Sequence, residues 1–99
     1  MNIKKLPENF EGKGEVKGFE FRQVKRSEKT LLYEVYSANF KHFEVFAIKT
    51  TPVCLDFENR VYSETDFKEI YPKSKDFGSW AFTTRKLLRA VDLFESLNV

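Results

Sequence analysis

The sequence has few of the residues that build catalytic or metal centres. Its 99 residues include one histidine, His42, and one cysteine, Cys54. A single cysteine excludes an internal disulfide framework and is typical of a reducing compartment. No zinc-ligand spacing such as C-x-x-C or H-E-x-x-H occurs, and none of the four glycines belongs to a phosphate-binding loop. We therefore predict no metal, no cofactor and no enzymatic activity.

Two pairs of residues could in principle be catalytic. His42 and Cys54 form the one available Cys–His combination, but nothing in their local sequence supports a nucleophilic centre. Asp56 and Glu58 would share a face if their segment is extended, as an acid–base pair would require. Carboxylates at this spacing are more often solvent-facing charges, so we expect neither pair to be catalytic.

The sequence also lacks a long apolar run. No stretch approaches the roughly 20 residues that a membrane-spanning helix needs. The N-terminal sequence MNIKKLPENF has no apolar centre of the kind found in signal peptides. These absences predict a cytoplasmic protein without a membrane partner.

Aromatic residues are abundant: eleven phenylalanines, four tyrosines and one tryptophan make up 16% of the chain. They favour a core of large flat side chains and a surplus for a contact surface. The net charge of +2 is too small to indicate nucleic-acid binding by itself. It is unevenly spread, however, with six basic and three acidic residues (net +3) over 13–29, and two basic and five acidic residues (net −3) over 56–69.

The apolar periodicity predicts an α+β fold. Residues 1–15 are polar and read as an N-terminal arm, and residues 16–99 read as a single α+β domain. Period-two alternation predicts an antiparallel sheet of four strands, and its strands are Phe19–Lys25, Thr30–Ser37, Lys41–Thr50 and Ser79–Thr83. Val53, Leu55 and Phe57 either extend the third strand or form a fifth. One C-terminal amphipathic helix would pack on one face, giving a ββββα order.

The predicted helix has one apolar face, formed by Leu87, Ala90, Val91, Phe94 and Leu97. Thr83 or Thr84 is predicted to cap its N-terminus, which places Arg85 and Lys86 in the first turn. That turn suggests an anion site, because free N–H groups, hydroxyls and cations would converge there. The residues of this predicted site are Thr83, Thr84, Arg85, Lys86 and Arg89. The alternative is a set of solvated charges.

Basic and aromatic residues gather around the first predicted hairpin. Cations beside aromatic rings are typical of surfaces that bind single-stranded nucleic acid. Most antiparallel sheets with one charged face show the same pattern, however, without binding nucleic acid. The predicted partner-binding residues are Arg22, Lys25, Arg26, Lys29, Tyr33, Tyr36 and Trp80.

Several short motifs carry a family resemblance. They are Phe43-Glu44-Val45-Phe46, Tyr71-Pro72, Phe77-Gly78 and Trp80-Ala81-Phe82, followed by the Ala90–Leu97 helix. With them, residues 19–97 resemble small uncharacterised bacteriophage proteins. The resemblance implies a protein that binds and disables or redirects a host protein, including CRISPR and other defence complexes. If the chain is phage-encoded, its predicted location is the host cytoplasm. The predicted topology is also similar to the PC4-type single-stranded DNA-binding fold, and residues 78–95 to the end of WGR domains, without the WGR tripeptide.

Two functions follow. The first is a non-enzymatic, phage-type accessory or anti-defence protein that binds a host protein or nucleoprotein complex stoichiometrically. Aromatics on an exposed sheet face or within residues 57–80 would anchor it. The alternative is a ββββα module that binds single-stranded DNA or RNA through the first hairpin and the helix start. The chain is expected to be a monomer or a homodimer.

Overall fold

The computed structural model describes residues 2–98, which contain eight β-strands and one α-helix. The chain divides into two compact units. One unit comprises Pro7–Ala47 and Pro72–Val99, and the other comprises Met1–Leu6 and Ile48–Tyr71. We call them the five-stranded unit and the three-stranded unit, after their sheets.

The five-stranded unit is an antiparallel sheet with a helix. Its strands lie in the order β2-β3-β4-β5-β8, and the helix α1 contacts β4, β5 and β8. Their bounds are β2 (Asn9–Glu11), β3 (Glu20–Arg26), β4 (Thr30–Ser37), β5 (Phe40–Ala47), β8 (Ala81–Thr84) and α1 (Leu87–Leu97). Two 3-10 turns, Gly14–Val16 and Ser74–Asp76, lie between these elements.

One face of this sheet is covered by the helix. Leu32 of β4 lies opposite Val45 of β5, and both are fully buried. Ala90 and Phe94 of α1 pack against them and against Phe43 in one apolar cluster. A helix that covers one face of an antiparallel sheet buries the apolar residues of both elements, as the sequence predicted.

The other face of the sheet carries a row of aromatic rings. Phe10 stacks on Phe21 at 4.6 Å between centroids, and Tyr33 stacks on Phe46 at 5.8 Å. Edge-to-face contacts join Phe21 to Tyr33 at 6.2 Å and Phe46 to Trp80 at 6.4 Å. Offset and edge-to-face geometries are the favourable ones for aromatic pairs. These five aromatic residues therefore contribute to the core of the five-stranded unit.

The three-stranded unit is a mixed sheet in the order β1-β7-β6. β6 (Thr50–Asp56) and β7 (Val61–Glu69) form an antiparallel hairpin, and β1 (Asn2–Lys4) runs parallel to β7. The buried Glu69 carboxylate accepts a hydrogen bond of 2.9 Å from the Leu6 backbone N–H, just beyond β1. This bond fixes the N-terminal strand to its sheet.

The α+β class, the antiparallel pairing and the C-terminal helix are confirmed, but the single four-stranded sheet is wrong. Eight strands in two sheets are present within residues 2–98. The predicted strand over 41–50 ends at Ala47, and Thr50 starts a new strand that pairs with β7. β7 contains the polar run Ser63-Glu64-Thr65-Asp66, which shows no apolar alternation. β1 and β2 have three residues each, too few to show a period.

The apolar face of the helix is shifted from the prediction. Ala90 and Phe94 are buried and Leu97 packs against the core, as expected, but Leu93 also packs there and Leu87 is 50% exposed. Leu87 is the first residue of the helix. Within residues 2–98, no helix is long and apolar enough to cross a membrane.

Candidate functional site

The most exposed apolar residues of the three-stranded unit lie at the end of the β6–β7 hairpin. We call residues 54–62 the hairpin tip. Leu55 is 64% exposed, Phe57 86%, Val61 45% and Tyr62 51%. Single exposed apolar residues are ordinary, whereas four within one short hairpin make the hairpin tip a candidate interaction site.

The turn of the hairpin tip is held by local hydrogen bonds. The Asp56 carboxylate accepts one bond from the Asn59 backbone N–H (3.2 Å) and one from the Asn59 side-chain amide (2.7 Å). These two bonds lower the pKa of Asp56 below its usual value, because they favour the ionised form. Arg60 adopts a positive φ of 53°, and its N–H donates to the Phe57 carbonyl at 3.4 Å. The turn is thus pre-organised around an exposed phenyl ring.

A bulge separates the hairpin tip from the rest of its sheet. Pro52 pairs with Phe67, but the next pair is Cys54 with Tyr62, so β7 has extra residues between the two pairs. The Ser63 hydroxyl accepts bonds from the backbone N–H groups of residues 65 (3.2 Å) and 66 (2.8 Å) inside this bulge. Bulges bend strands and redirect side chains, so the tip has its own local geometry.

The charge around the hairpin tip is negative. Residues 54–66 contain four carboxylates and one arginine, a net charge of −3, from Asp56, Glu58, Glu64, Asp66 and Arg60. Phosphate backbones bind to clustered cations, which the tip does not provide. Apolar residues within an acidic rim instead suit a protein surface that is apolar at its centre and basic around it.

The predicted partner-binding residues of the first hairpin are divided between the faces of the sheet. Arg22 and Lys29 are exposed. Lys25 bonds to Glu95 at 3.3 Å and lies 5.0 Å from the centre of the Phe94 ring. Arg26 is half-buried. Lys25 therefore stabilises the contact between β3 and α1. Of the four cations, Arg22 and Lys29 are exposed and make no such contact.

The predicted aromatic members of that surface are not brought together. Tyr33 is fully buried, and its hydroxyl donates to the Pro7 carbonyl at 2.7 Å, so a partner cannot reach it. Tyr36 is 40% exposed and donates to the Glu34 carboxylate, a bond that raises the pKa of Tyr36 above 10.0. Trp80 is half-buried with its edge on Phe46. The structure does not assemble the stacking platform that the sequence suggested.

The predicted anion site is also rearranged, because the helix starts later than expected. Thr83 and Thr84 belong to β8, and Lys86 is the N-cap residue of α1. Thr84 accepts a bond from the Lys86 N–H at 3.2 Å instead of capping the helix. Arg85 therefore leaves the sheet before the helix begins, and it does not lie in a helical turn.

Four of the five residues of the predicted anion site, all but Lys86, line two surface cavities of the five-stranded unit. The first, about 460 Å³, we call the Phe40 pocket; its walls include Phe19, Ser37, Phe40, His42, Thr83 and Arg85. The second, about 430 Å³, is lined by Phe77, Phe82, Arg89 and Leu93, among others. Arg85 and Arg89 thus belong to separate cavities, although both threonines reach each one. The sequence did not point to Phe40 as a site residue, and it suggested His42 only as one half of a Cys–His pair.

The residues considered for catalysis have other surroundings. His42 Nε2 lies 2.8 Å from the Glu44 carboxylate, which is 4% exposed. Cys54 is an exposed free thiol on β6, and Asp56 is engaged by Asn59. Within residues 2–98, no group of three or more His, Cys, Asp or Glu side chains could hold a metal ion.

The chain matches no protein-family model, no curated protein and no solved structure. The likeness to small phage proteins therefore stays a prediction. The hairpin tip and the Phe40 pocket are the two candidate sites of the described residues.

Proposed function

We propose that this protein is a non-enzymatic binding protein that engages a protein partner through its hairpin tip. The observation that supports this is the exposure of Leu55, Phe57, Val61 and Tyr62 on a turn fixed by Asp56. A pre-organised turn with an exposed aromatic residue loses little conformational freedom on binding. Such residues are the usual anchors of protein interfaces.

The energetics favour a partner with a pocket for the phenyl ring. Burying one side chain such as Phe57 fully is worth about 1.5–3 kcal/mol. Association costs at least about 4 kcal/mol in lost freedom, so the anchor alone cannot give tight binding. The other apolar tip residues and the acidic rim must contribute, which requires a complementary basic border on the partner.

The resemblance to phage accessory proteins supplies the biological setting of the proposal. In that setting the partner is a host protein or nucleoprotein complex, and the protein acts by stoichiometric binding, as an inhibitor does. The acidic hairpin tip favours a protein surface over nucleic acid as the direct contact. A nucleoprotein partner would then be held through its protein part.

A pull-down with matched variants tests the proposal. The tagged full chain, Phe57→Ser and Leu88→Ser are compared in host lysate with and without nuclease, read by mass spectrometry. Leu88 is the control because it is 81% exposed, close to the 86% of Phe57, but lies on the helix of the five-stranded unit. We expect one protein at near-equal ratio with the wild type and with Leu88→Ser, and its loss with Phe57→Ser.

Two results would contradict the proposal. Equal recovery with Phe57→Ser and wild type would show that the hairpin tip is not the contact. Disappearance of the bound material after nuclease treatment would favour the alternative of nucleic-acid binding.

A further inference from the structure

The Phe40 pocket has the composition of a small-ligand site, independent of the hairpin tip. Its volume of about 460 Å³ lies within the roughly 300–1,000 Å³ typical of such sites. Most of its lining residues are polar, and the lining combines two aromatic rings with hydroxyl groups and a guanidinium group. Such a lining suits a ligand that has both a flat apolar part and a charged part.

The strand register explains why these residues meet. Phe40, His42 and Glu44 alternate along β5 and therefore share one face of the sheet. Thr83 lies opposite Glu44, and Ser37 lies opposite Phe40. The shared face thus places the hydroxyl groups beside the rings.

Arg85 is the cation that a ligand can use. Its guanidinium carbon lies 5.8 Å from the centre of the Phe40 ring, and it forms no ion pair with the rest of residues 2–98. Lys41 also borders the pocket, but its ammonium group lies 3.8 Å from Glu34 and over the Phe43 ring. An unpaired guanidinium beside an exposed aromatic ring is a favourable place for a phosphate group.

Polar groups of the pocket remain available for hydrogen bonding. The hydroxyls of Ser37 and Thr83 bond to no other residue within 2–98. His42 is oriented by its 2.8 Å bond to buried Glu44 through Nε2, so Nδ1 is the nitrogen left for a ligand. The Phe19 ring meets the His42 ring edge-on at 6.3 Å and completes the wall.

From this combination we infer that the Phe40 pocket binds a nucleotide, with its phosphate on Arg85 and its base against the Phe19 and Phe40 rings. A simple anion would need the cation and hydroxyls but not the rings. A neutral flat ligand would need the rings but not Arg85. The same chemistry is offered by a free mononucleotide and by a nucleotide within a single strand, since every base has a face that stacks on aromatic side chains.

The test is a titration of the ¹⁵N-labelled full chain followed by NMR. The probes are AMP, adenosine, inorganic phosphate and a short single-stranded oligoadenylate. We expect AMP to shift the amide signals of residues 37–42 and 83–85, with adenosine and phosphate each binding at least about tenfold more weakly. Tighter binding of the oligoadenylate with the same shifts would assign the site to single strands, and tighter binding of AMP would assign it to free nucleotides.

Matched variants connect the binding to the two contacts. Arg85→Gln and Phe40→Ala change exposed side chains, and each should weaken nucleotide binding about tenfold. Arg89→Gln removes an exposed guanidinium outside this pocket and should leave the affinity within about twofold.

Three outcomes would overturn the inference. The first is the absence of shifts with both AMP and oligoadenylate, and the second is equal affinity for phosphate and AMP. The third is equal weakening by Arg85→Gln and Arg89→Gln, since it would indicate only a general effect of charge. None of these results tests the hairpin tip, because the Phe40 pocket contains no residue of the tip. The Phe57 variants in turn keep every residue of the pocket.

Discussion

The two units both expose apolar residues, but only one of them also buries apolar side chains completely. All eleven buried hydrophobic residues within the described part of the chain belong to the five-stranded unit. The buried residues of the three-stranded unit are Ser63 and Glu69, both polar. That unit instead exposes large apolar side chains at its hairpin tip. Burial therefore stabilises mainly the five-stranded unit, whereas the hairpin tip of the three-stranded unit is the surface that we propose for a protein partner.

The contrast is clearest between two hairpins of similar construction. In the β4–β5 hairpin, Leu32 pairs with Val45 and Leu31 with Phe46, and all four are fully buried. In the β6–β7 hairpin, the pairs beyond the bulge leave their apolar members exposed. Both hairpins therefore have paired strands, but hydrophobic burial contributes much more to the β4–β5 hairpin than to the β6–β7 hairpin.

The largest effect should come from truncating a ring in the buried row. Phe46→Ala removes a fully buried side chain and should lower the free energy of unfolding by about 3–5 kcal/mol. Phe57→Ala removes a ring that is 86% exposed and should change it by less than about 0.5 kcal/mol. Urea denaturation followed by circular dichroism measures both. Equal destabilisation by the two substitutions would break the division of roles between the units.

A second pair of variants compares a buried and an exposed tyrosine. Tyr33→Phe leaves the Pro7 carbonyl without its 2.7 Å donor and should cost about 1–2 kcal/mol. Tyr36→Phe removes a hydroxyl that donates to Glu34 at the surface, and no measurable change is expected. The same denaturation assay applies, and a larger loss for Tyr36→Phe would contradict the assigned burial.

The five-stranded sheet could be predicted in good part because its strands alternate. The bounds Thr30–Ser37 were predicted correctly, and Phe19–Lys25 differs from β3 by one residue at each end. The helix was also predicted, but its start was not, because Thr83 and Thr84 have the chemistry of N-caps while their backbone continues a strand. Pairing of Thr83 with Glu44 and of Thr84 with Phe43 outweighed that local preference.

The contact surfaces were harder to predict for a physical reason. Alternation in Val53, Leu55 and Phe57 indicates a strand but does not say whether any element covers it. The Phe40 pocket joins residues around positions 19, 40 and 84, which come together through the pairing of β3, β4, β5 and β8. Tyr33, by contrast, was predicted to lie on a binding surface, whereas its ring is buried in the core.

A smaller effect is expected at the ion pair between β3 and α1. Lys25 and Glu95 are 3.3 Å apart, and their side chains are 50% and 61% exposed. Glu95→Gln should therefore lower the free energy of unfolding by less than about 1 kcal/mol. The loss should shrink at high salt, because counterions screen exposed pairs. A loss above that range would give the helix surface a larger role than its exposure indicates.

The smallest effect should be confined to the hairpin tip and should depend on pH. Two hydrogen bonds from Asn59 hold the pKa of Asp56 below its ordinary value of 3.8. Because the folded-state pKa is the lower one, the ionised carboxylate supports the turn above the unfolded-state pKa. That support is lost as the pH falls through the folded-state pKa.

NMR can follow this loss at the backbone and side-chain amides of Asn59. Their signals should titrate with a midpoint below 3.8, and the titration should vanish in Asp56→Asn. The signals of buried β4 residues such as Leu32 should stay unchanged over the same step, since Leu32 packs in the cluster with Val45 and Phe94 of its own unit. A midpoint at or above 3.8 would mean that the turn is not pre-organised, and the hairpin tip would then have to order on binding at a cost in affinity.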